Sequence, residues 1–178
     1  MEKHYQIILK DTQERVYDSF SAQILQKGSS CYGAFTDEQG IIQAKYTIYR
    51  LSSMIAVYCC RDSSFYKDEN LYNRIILALD YVRSVQHANG LFDYVTCNFN
   101  SAPDTAFCIK KLMPIFYYLR GISRTDQEEN LFVRIDRIIE AAAHGMMEGG
   151  FHTPNHRWAI ASSLMECALI YADKEMQN

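Results

Sequence analysis

The sequence predicts an all-α fold. Apolar residues recur every three or four positions along most of the chain, which is typical of helices that bury one face. Only three prolines and eight glycines interrupt the 178 residues. No segment shows the alternation of apolar and polar residues that marks a half-buried strand. We therefore expect helices joined by loops, and no sheet.

Six helices account for this pattern. Asp11 and Glu14 have the spacing of a capping box, Gly28 suits the position after a helix end, and Pro103 suits a first helical position. The predicted helices cover residues 11–27, 44–61, 68–89, 103–120, 125–147 and 154–172. They pair into three helical hairpins, at about 11–61, 68–120 and 125–172, within one domain that spans 1–178.

A glycine precedes a phenylalanine between the two helices of every predicted hairpin. The triplets occupy residues 33–35, 90–92 and 149–151, and their phenylalanines are 57 and 59 residues apart. Self-similarity at a fixed period is the signature of stacked supersecondary units. Equivalent loops leave such a stack at the same end. We therefore expect the polar residues that follow each triplet to converge on one face, where functional sites usually lie.

Composition excludes several classes of protein. The net charge is −3, with 18 basic and 21 acidic residues and no basic stripe, which argues against a nucleic-acid partner. The apolar runs are too short to span a membrane. The N-terminal residues lack the apolar stretch of a signal peptide, so a native N-terminus would predict a soluble cytoplasmic protein. Six cysteines form no C-x-x-C pair, and we expect buried or half-buried thiols without disulfides.

The densest group of chemically versatile residues begins the last predicted helix. Two histidines, an amide, a guanidinium and the only tryptophan lie within seven residues: His152, Asn155, His156, Arg157 and Trp158. Histidine can act as a base near neutral pH, arginine can bind an anion, and tryptophan can stack on a sugar ring. A plain helix start, capped by Thr153 and with Trp158 in the core, would use the same residues. Because Pro154 separates the histidines and no glutamate follows His152, we expect no metal and no cofactor.

The loop between the third and fourth predicted helices is a second candidate site. It has about 13 residues, more than a connection requires, and it contains four polar residues that could bind a substrate: Asp93, Asn98, Asn100 and Asp104. Asp104 could equally stabilise the start of the fourth helix through the helix dipole. Asp93 and Asp104 could also form the acid–base pair of a glycoside hydrolase.

These stretches resemble a known family. The G-x-F loops at hairpin spacing and the stretches 98–106 and 152–158 are similar to the α/α-toroid domain of heparinase-like and alginate-lyase-like polysaccharide lyases, whose clan includes six-hairpin glycosidases. The resemblance implies an incomplete toroid, because a complete one has more than three hairpins. It also implies that Asn155 neutralises a uronate carboxylate, that His156 assists it or removes the C5 proton, and that His152 and Arg157 bind the acidic sugar.

The leading hypothesis is a lyase-like toroid fragment that binds an acidic poly- or oligosaccharide. Weak or no catalysis is expected from the chain alone, because the tyrosine that such lyases use normally comes from a later hairpin. Two alternatives stay open, namely a non-catalytic helical-repeat module that binds protein or glycan, and a six-hairpin hydrolase with paired carboxylates. The last hairpin is expected to expose an apolar flank, which predicts self-association or coverage by a further C-terminal region.

Overall fold

The fold is known from a computed structural model that describes residues 2–148 and 153–171. Its helices are α1 (Glu2–Ser19), α2 (Ala44–Cys59), α3 (Glu69–Ser84), α4 (Ala102–Gly121), α5 (Asp126–Met147) and α6 (Pro154–Tyr171). A 3-10 turn at Phe20–Ala22 follows α1, and an antiparallel pair of strands, β1 (Phe92–Tyr94) and β2 (Asn98–Ser101), precedes α4. The prediction of an all-α class is therefore confirmed.

The chain divides into two compact units, Met1–Val82 and Arg83–Asn178. The prediction of one domain over 1–178 stays a prediction. No helix in the described part of the chain has the length and apolar character needed to cross a membrane. All six cysteines are free thiols, and Cys97 is the one whose side chain is exposed.

Local signals placed several helix ends correctly. Thr125 caps α5 with the full capping box, because its Oγ1 accepts the Glu128 N–H at 3.4 Å while the Glu128 carboxylate accepts the Thr125 N–H at 2.9 Å. Ser101 caps α4 by accepting the Asp104 N–H at 3.3 Å. The sixth helix begins at Pro154, as the sequence predicts.

The first predicted helix, 11–27, is wrong at both ends, because α1 begins at Glu2 and ends at Ser19. Residues after α1 are extended because they pair with the following loop. Ile24 donates its N–H to the Ala34 carbonyl and accepts the Gly33 N–H, both at 2.8 Å.

The third predicted helix, 68–89, is also too long. The structure ends α3 at Ser84, and a turn follows in which Gly90 N–H donates to the His87 carbonyl at 2.8 Å and His87 N–H donates to the Leu91 carbonyl at 3.0 Å. The expectation of no sheet is wrong as well. Strands of three and four residues are too short to produce a detectable alternation in the sequence.

In the first unit, a buried glutamine joins the hairpin loop to a neighbouring helix. The Gln23 side-chain amide donates to the carbonyls of Gly33, at 3.1 Å, and of Arg74 in α3, at 3.0 Å. Gly33 has φ +91°, and a Cβ there would lie 2.1 Å from a backbone oxygen of α3, so only glycine fits. The Thr47 hydroxyl accepts the N–H of the fully buried Phe35 at 3.1 Å.

The second unit contains the same arrangement. The Gln86 amide donates to the carbonyls of Gly90, at 2.8 Å, and of Ile138 in α5, at 3.0 Å. Gly90 has φ +85°, and a Cβ there would lie 1.8 Å from a backbone oxygen of α5. The Thr105 hydroxyl accepts the N–H of buried Phe92 at 2.9 Å. Matching contacts around the first two G-x-F triplets confirm a helical-hairpin repeat.

The third triplet, residues 149–151, lies outside the described residues, and so does His152. One described residue of this hairpin fits the repeat. Ser163 lies 58 positions after Thr105 and is fully buried like it. Its hydroxyl donates to the Ala106 carbonyl of α4 at 3.2 Å.

Candidate functional site

In the second unit, α4 and α6 are parallel neighbours. Ser163 contacts Ala106, and Glu166 lies 3.8 Å from the ammonium of Lys110, so the contacts advance along both helices in the same direction. With Ser163 level with Ala106, α6 starts about five residues, or ~7 Å, beyond the level at which α4 begins. The first turn of α6 therefore lies at the same end of the unit as the β1–β2 hairpin. The position of the first hairpin's loop relative to this end stays a prediction.

Asp93 holds the β1–β2 hairpin together. Its Oδ1 accepts the Asn100 N–H at 2.7 Å and lies 2.8 Å from Nε2 of His87. Asn100 has φ +48°, a left-handed conformation that asparagine tolerates better than most residues, and its side chain is exposed. No sequence signal points to His87, because it follows the end of α3 and belongs to no periodic pattern. The His87–Asp93 pair is half-buried, and hydrogen bonds within the loop account for its geometry.

A second network closes the hairpin onto α4. The Ser101 hydroxyl is almost completely buried, donates to the Asp104 carboxylate at 2.6 Å and accepts from the Asn98 amide at 2.9 Å. Asn98 and Asp104 therefore help to form the start of α4. For Asp104 this agrees with the alternative that its carboxylate stabilises the helix start through the helix dipole. The hydrolase hypothesis pairs Asp93 with Asp104, and each of these carboxylates is engaged in a different network of the loop.

The first turn of α6 holds the other predicted site residues. The Thr153 hydroxyl donates to Oδ1 of Asn155 at 2.6 Å, and the Thr153 carbonyl accepts the Arg157 N–H at 3.0 Å. Asn155 and Arg157 are exposed, whereas His156 is half-buried. The predicted catalytic pair, Asn155 and His156, thus occupies adjacent positions with unequal access to solvent.

Trp158 is 77% exposed, so the interpretation that placed its ring in the core is wrong. The ring is part of an apolar line along the outer face of α6. Spacings of three and four residues align Trp158 with Ala161, Met165 and Leu169, all exposed to solvent. We call these four residues the α6 stripe. The opposite face of the helix is already buried within the unit: Ala159, Ile160, Ser163, Cys167 and Ala168.

Two residues of α6 fix its C-terminal half to the unit. The Tyr171 hydroxyl donates to the Asp136 carboxylate at 2.7 Å, and burial, followed by this hydrogen bond, raises the pKa of Tyr171 above its ordinary value. Burial also raises the pKa of the Cys167 thiol to about 12. That thiol is therefore a poor nucleophile near neutral pH. Both groups help to attach α6 to the rest of the second unit.

Two further features of the described residues bear on the site. No three histidine, cysteine, aspartate or glutamate side chains within 2–148 and 153–171 gather closely enough to hold a metal ion. A shallow groove of about 410 Å³ lies in the first unit, between α1 and the turn after α2. None of the predicted site residues lines this groove. Its lining residues are Gln13, Glu14, Tyr17, Asp18, Ser64 and Phe65.

Comparison with known proteins adds no relative. No protein-family model matches the sequence, and no curated protein or solved structure matches the chain.

Proposed function

We propose that the chain is a non-catalytic helical-repeat module that binds a helix of a partner protein along the α6 stripe. The observation that carries the proposal is the line of exposed apolar side chains on a helix whose other face is already buried. Met165 is 63% and Leu169 71% exposed. A contiguous exposed apolar surface marks an interaction site more often than isolated apolar residues do. Spacings of three and four residues suit a partner helix.

The polar networks of the loop end support the non-catalytic part of this proposal. Asp93 and Asp104 each accept hydrogen bonds that shape the β1–β2 hairpin or start α4. Carboxylates committed in this way stabilise the loop. Residues that position backbone contribute to a rigid binding scaffold, which is what a repeat module requires.

Hydroxyl-radical footprinting tests the module directly, because methionine and tryptophan side chains oxidise readily when exposed. We expect Met165 and Trp158 to be protected in a concentrated native extract relative to dilute purified protein. Phe99 and Ile8, exposed by 69% and 65%, serve as internal controls that should stay equally labelled. Equal labelling of all four residues in both samples would contradict the proposal.

A second candidate function follows from the loop end itself. Phe99 exposes its ring from β2 of the β1–β2 hairpin, and Arg157 lies on the first turn of α6 at the same end. An aromatic face and a guanidinium are the groups that bind an acidic sugar. The N-terminal ends of α4 and α6 add a positive potential there. On the lyase hypothesis, Asn155 would bind the uronate carboxylate and His156 would serve as its assistant or base.

Binding of a uronate polymer, measured by calorimetry, tests this second function. Arg157→Ala and Asn155→Ala should each weaken the binding at least tenfold, whereas Lys111→Ala, an exposed cation farther along α4, should leave it unchanged. The ultraviolet absorbance of an unsaturated uronate would identify β-elimination, and binding without that absorbance would indicate an incomplete site. No binding to any uronate polymer would remove the saccharide hypothesis.

A further inference from the structure

We infer that the partner helix is α6 of a second copy of this chain, packed antiparallel against the α6 stripe. This inference rests on the proposed function and names the partner of that surface. A twofold symmetric contact must be self-complementary, because residue i of one copy meets residue j of the other and j meets i. The α6 stripe meets this condition along its whole length.

The sizes of the side chains supply the first argument. A twofold axis level with residue 163 places Ala161 opposite Met165 of the other copy, and Trp158 within one residue of the level of Leu169 of the other copy. Each pair combines a larger side chain with a smaller one, so both copies interdigitate along one seam. A parallel pairing would instead oppose Trp158 to Trp158 and Met165 to Met165, leaving the small residues facing one another across a gap.

The charges supply the second argument. No charged residue belongs to the α6 stripe, so the antiparallel contact brings no like charges together in its centre. Glu166, beside the stripe, already pairs with Lys110 of its own chain at 3.8 Å. Antiparallel helices also oppose their dipoles favourably, whereas parallel helices do not.

The exposed area indicates how strong the contact is. At ~150–250 Å² for a large side chain, the stripe exposes on the order of 400–500 Å² per copy. A symmetric pair then buries roughly 900 Å², below the ~1,200 Å² at which stable interfaces begin. We therefore expect a concentration-dependent dimer with a dissociation constant in the micromolar range or weaker.

Sedimentation velocity of the purified chain tests the inference over concentrations from about 1 to about 300 μM. We expect a shift from the 20.6 kDa monomer toward twice that mass. Met165→Glu should abolish the shift, whereas Ile8→Glu, the same change at an equally exposed position of α1, should leave it intact. Circular dichroism melting of both variants checks that each is folded. A wild-type chain that stays monomeric at every concentration overturns the inference.

A paired substitution tests the antiparallel register. Ala161→Lys alone should abolish the dimer, because two lysines then face methionine. The double variant Ala161→Lys with Met165→Glu should restore it, because each antiparallel contact then joins a lysine to a glutamate. If the helices of the wild-type dimer were parallel, the double variant would place like charges opposite one another and would stay monomeric. That result would overturn the antiparallel geometry.

The two proposals fail separately. If purified protein is monomeric while Met165 is protected in the native extract, α6 binds a different protein, and self-association is wrong. If Met165 is unprotected in the extract and the chain is monomeric, the module proposal is wrong as well.

Discussion

α5 and α6 both pack on α4, yet the side chains that they expose to solvent differ in polarity. The exposed positions of α5 along its length are polar: Asp126, Glu129, Arg137, Glu140 and His144. The exposed positions in the middle of α6 are Ala161, Met165 and Leu169, with Trp158 before them. When a helix has one apolar and one polar face, water solvates the polar face. When a helix is apolar on two faces, the outer apolar face is removed from water only if a second surface covers it.

The comparison also explains why sequence periodicity misplaced the core of the last helix. A stripe of Trp158, Ala161, Leu164, Ala168 and Tyr171 follows helical spacing. The structure buries Ala168 but leaves Trp158 and Ala161 exposed. When apolar residues lie on two faces, spacing alone does not identify the inner one. For α5 the two faces are clearly distinct, and the apolar residues at helical spacing are all buried: Leu131, Ile135, Ile138, Ala142 and Met146.

A substitution that breaks the inner contact of α5 should destabilise the protein most. Gly90→Ala should destabilise the second unit by more than ~3 kcal/mol, because a Cβ would lie 1.8 Å from the Ala141 carbonyl oxygen of α5 at a φ of +85°. Urea denaturation measures the change. Gly121→Ala, where a Cβ meets nothing within 4 Å, should be nearly neutral and serves as the control. A loss of less than ~1 kcal/mol for Gly90→Ala would show that α5 moves aside easily.

Truncations of one side chain on each helix test this difference between α5 and α6. Ile139→Ala on the buried face of α5 should cost about 2–5 kcal/mol, because it removes a fully buried side chain and leaves a cavity. Leu169→Ala on the α6 stripe should change the stability of the dilute monomer by less than ~0.5 kcal/mol. Denaturation at low protein concentration measures both. Similar costs for the two variants would mean that Leu169 is packed in solution, contrary to the comparison.

Local sequence signals predicted the parts of the fold that depend on neighbouring residues. The starts of α4 and α5 are of this kind, since the caps of Ser101 and Thr125 close within three positions. The contacts of Gln23 and Gln86 with the carbonyls of a following helix were not predictable, because they join residues about 50 positions apart. The candidate site was predictable only in its location. Sequence placed Asp93 in the right loop, whereas its pairing with His87 depends on a turn that replaces the end of the predicted third helix.

A smaller effect than that of Ile139→Ala is expected from the attachment of α6 to α5. Tyr171→Phe removes the hydrogen bond to Asp136 and should cost about 1 kcal/mol near pH 7. Burial and this bond raise the pKa of Tyr171 in the folded state above its ordinary value of 10.0. Its contribution is therefore fully present below pH 10 and is lost as the pH rises through the folded-state pKa.

Denaturation midpoints of wild type and Tyr171→Phe, compared between about pH 8 and about pH 11, measure that contribution. The difference between them should be constant below pH 10. At higher pH the wild type should lose an additional increment of stability that the variant lacks, since ionisation of the phenol is the only titration the substitution removes. If both proteins lose stability in parallel throughout this range, Tyr171 is exposed in solution. The C-terminal half of α6 would then be held by its apolar inner face alone. The inner and outer faces of α6 would differ less in burial than those of α5.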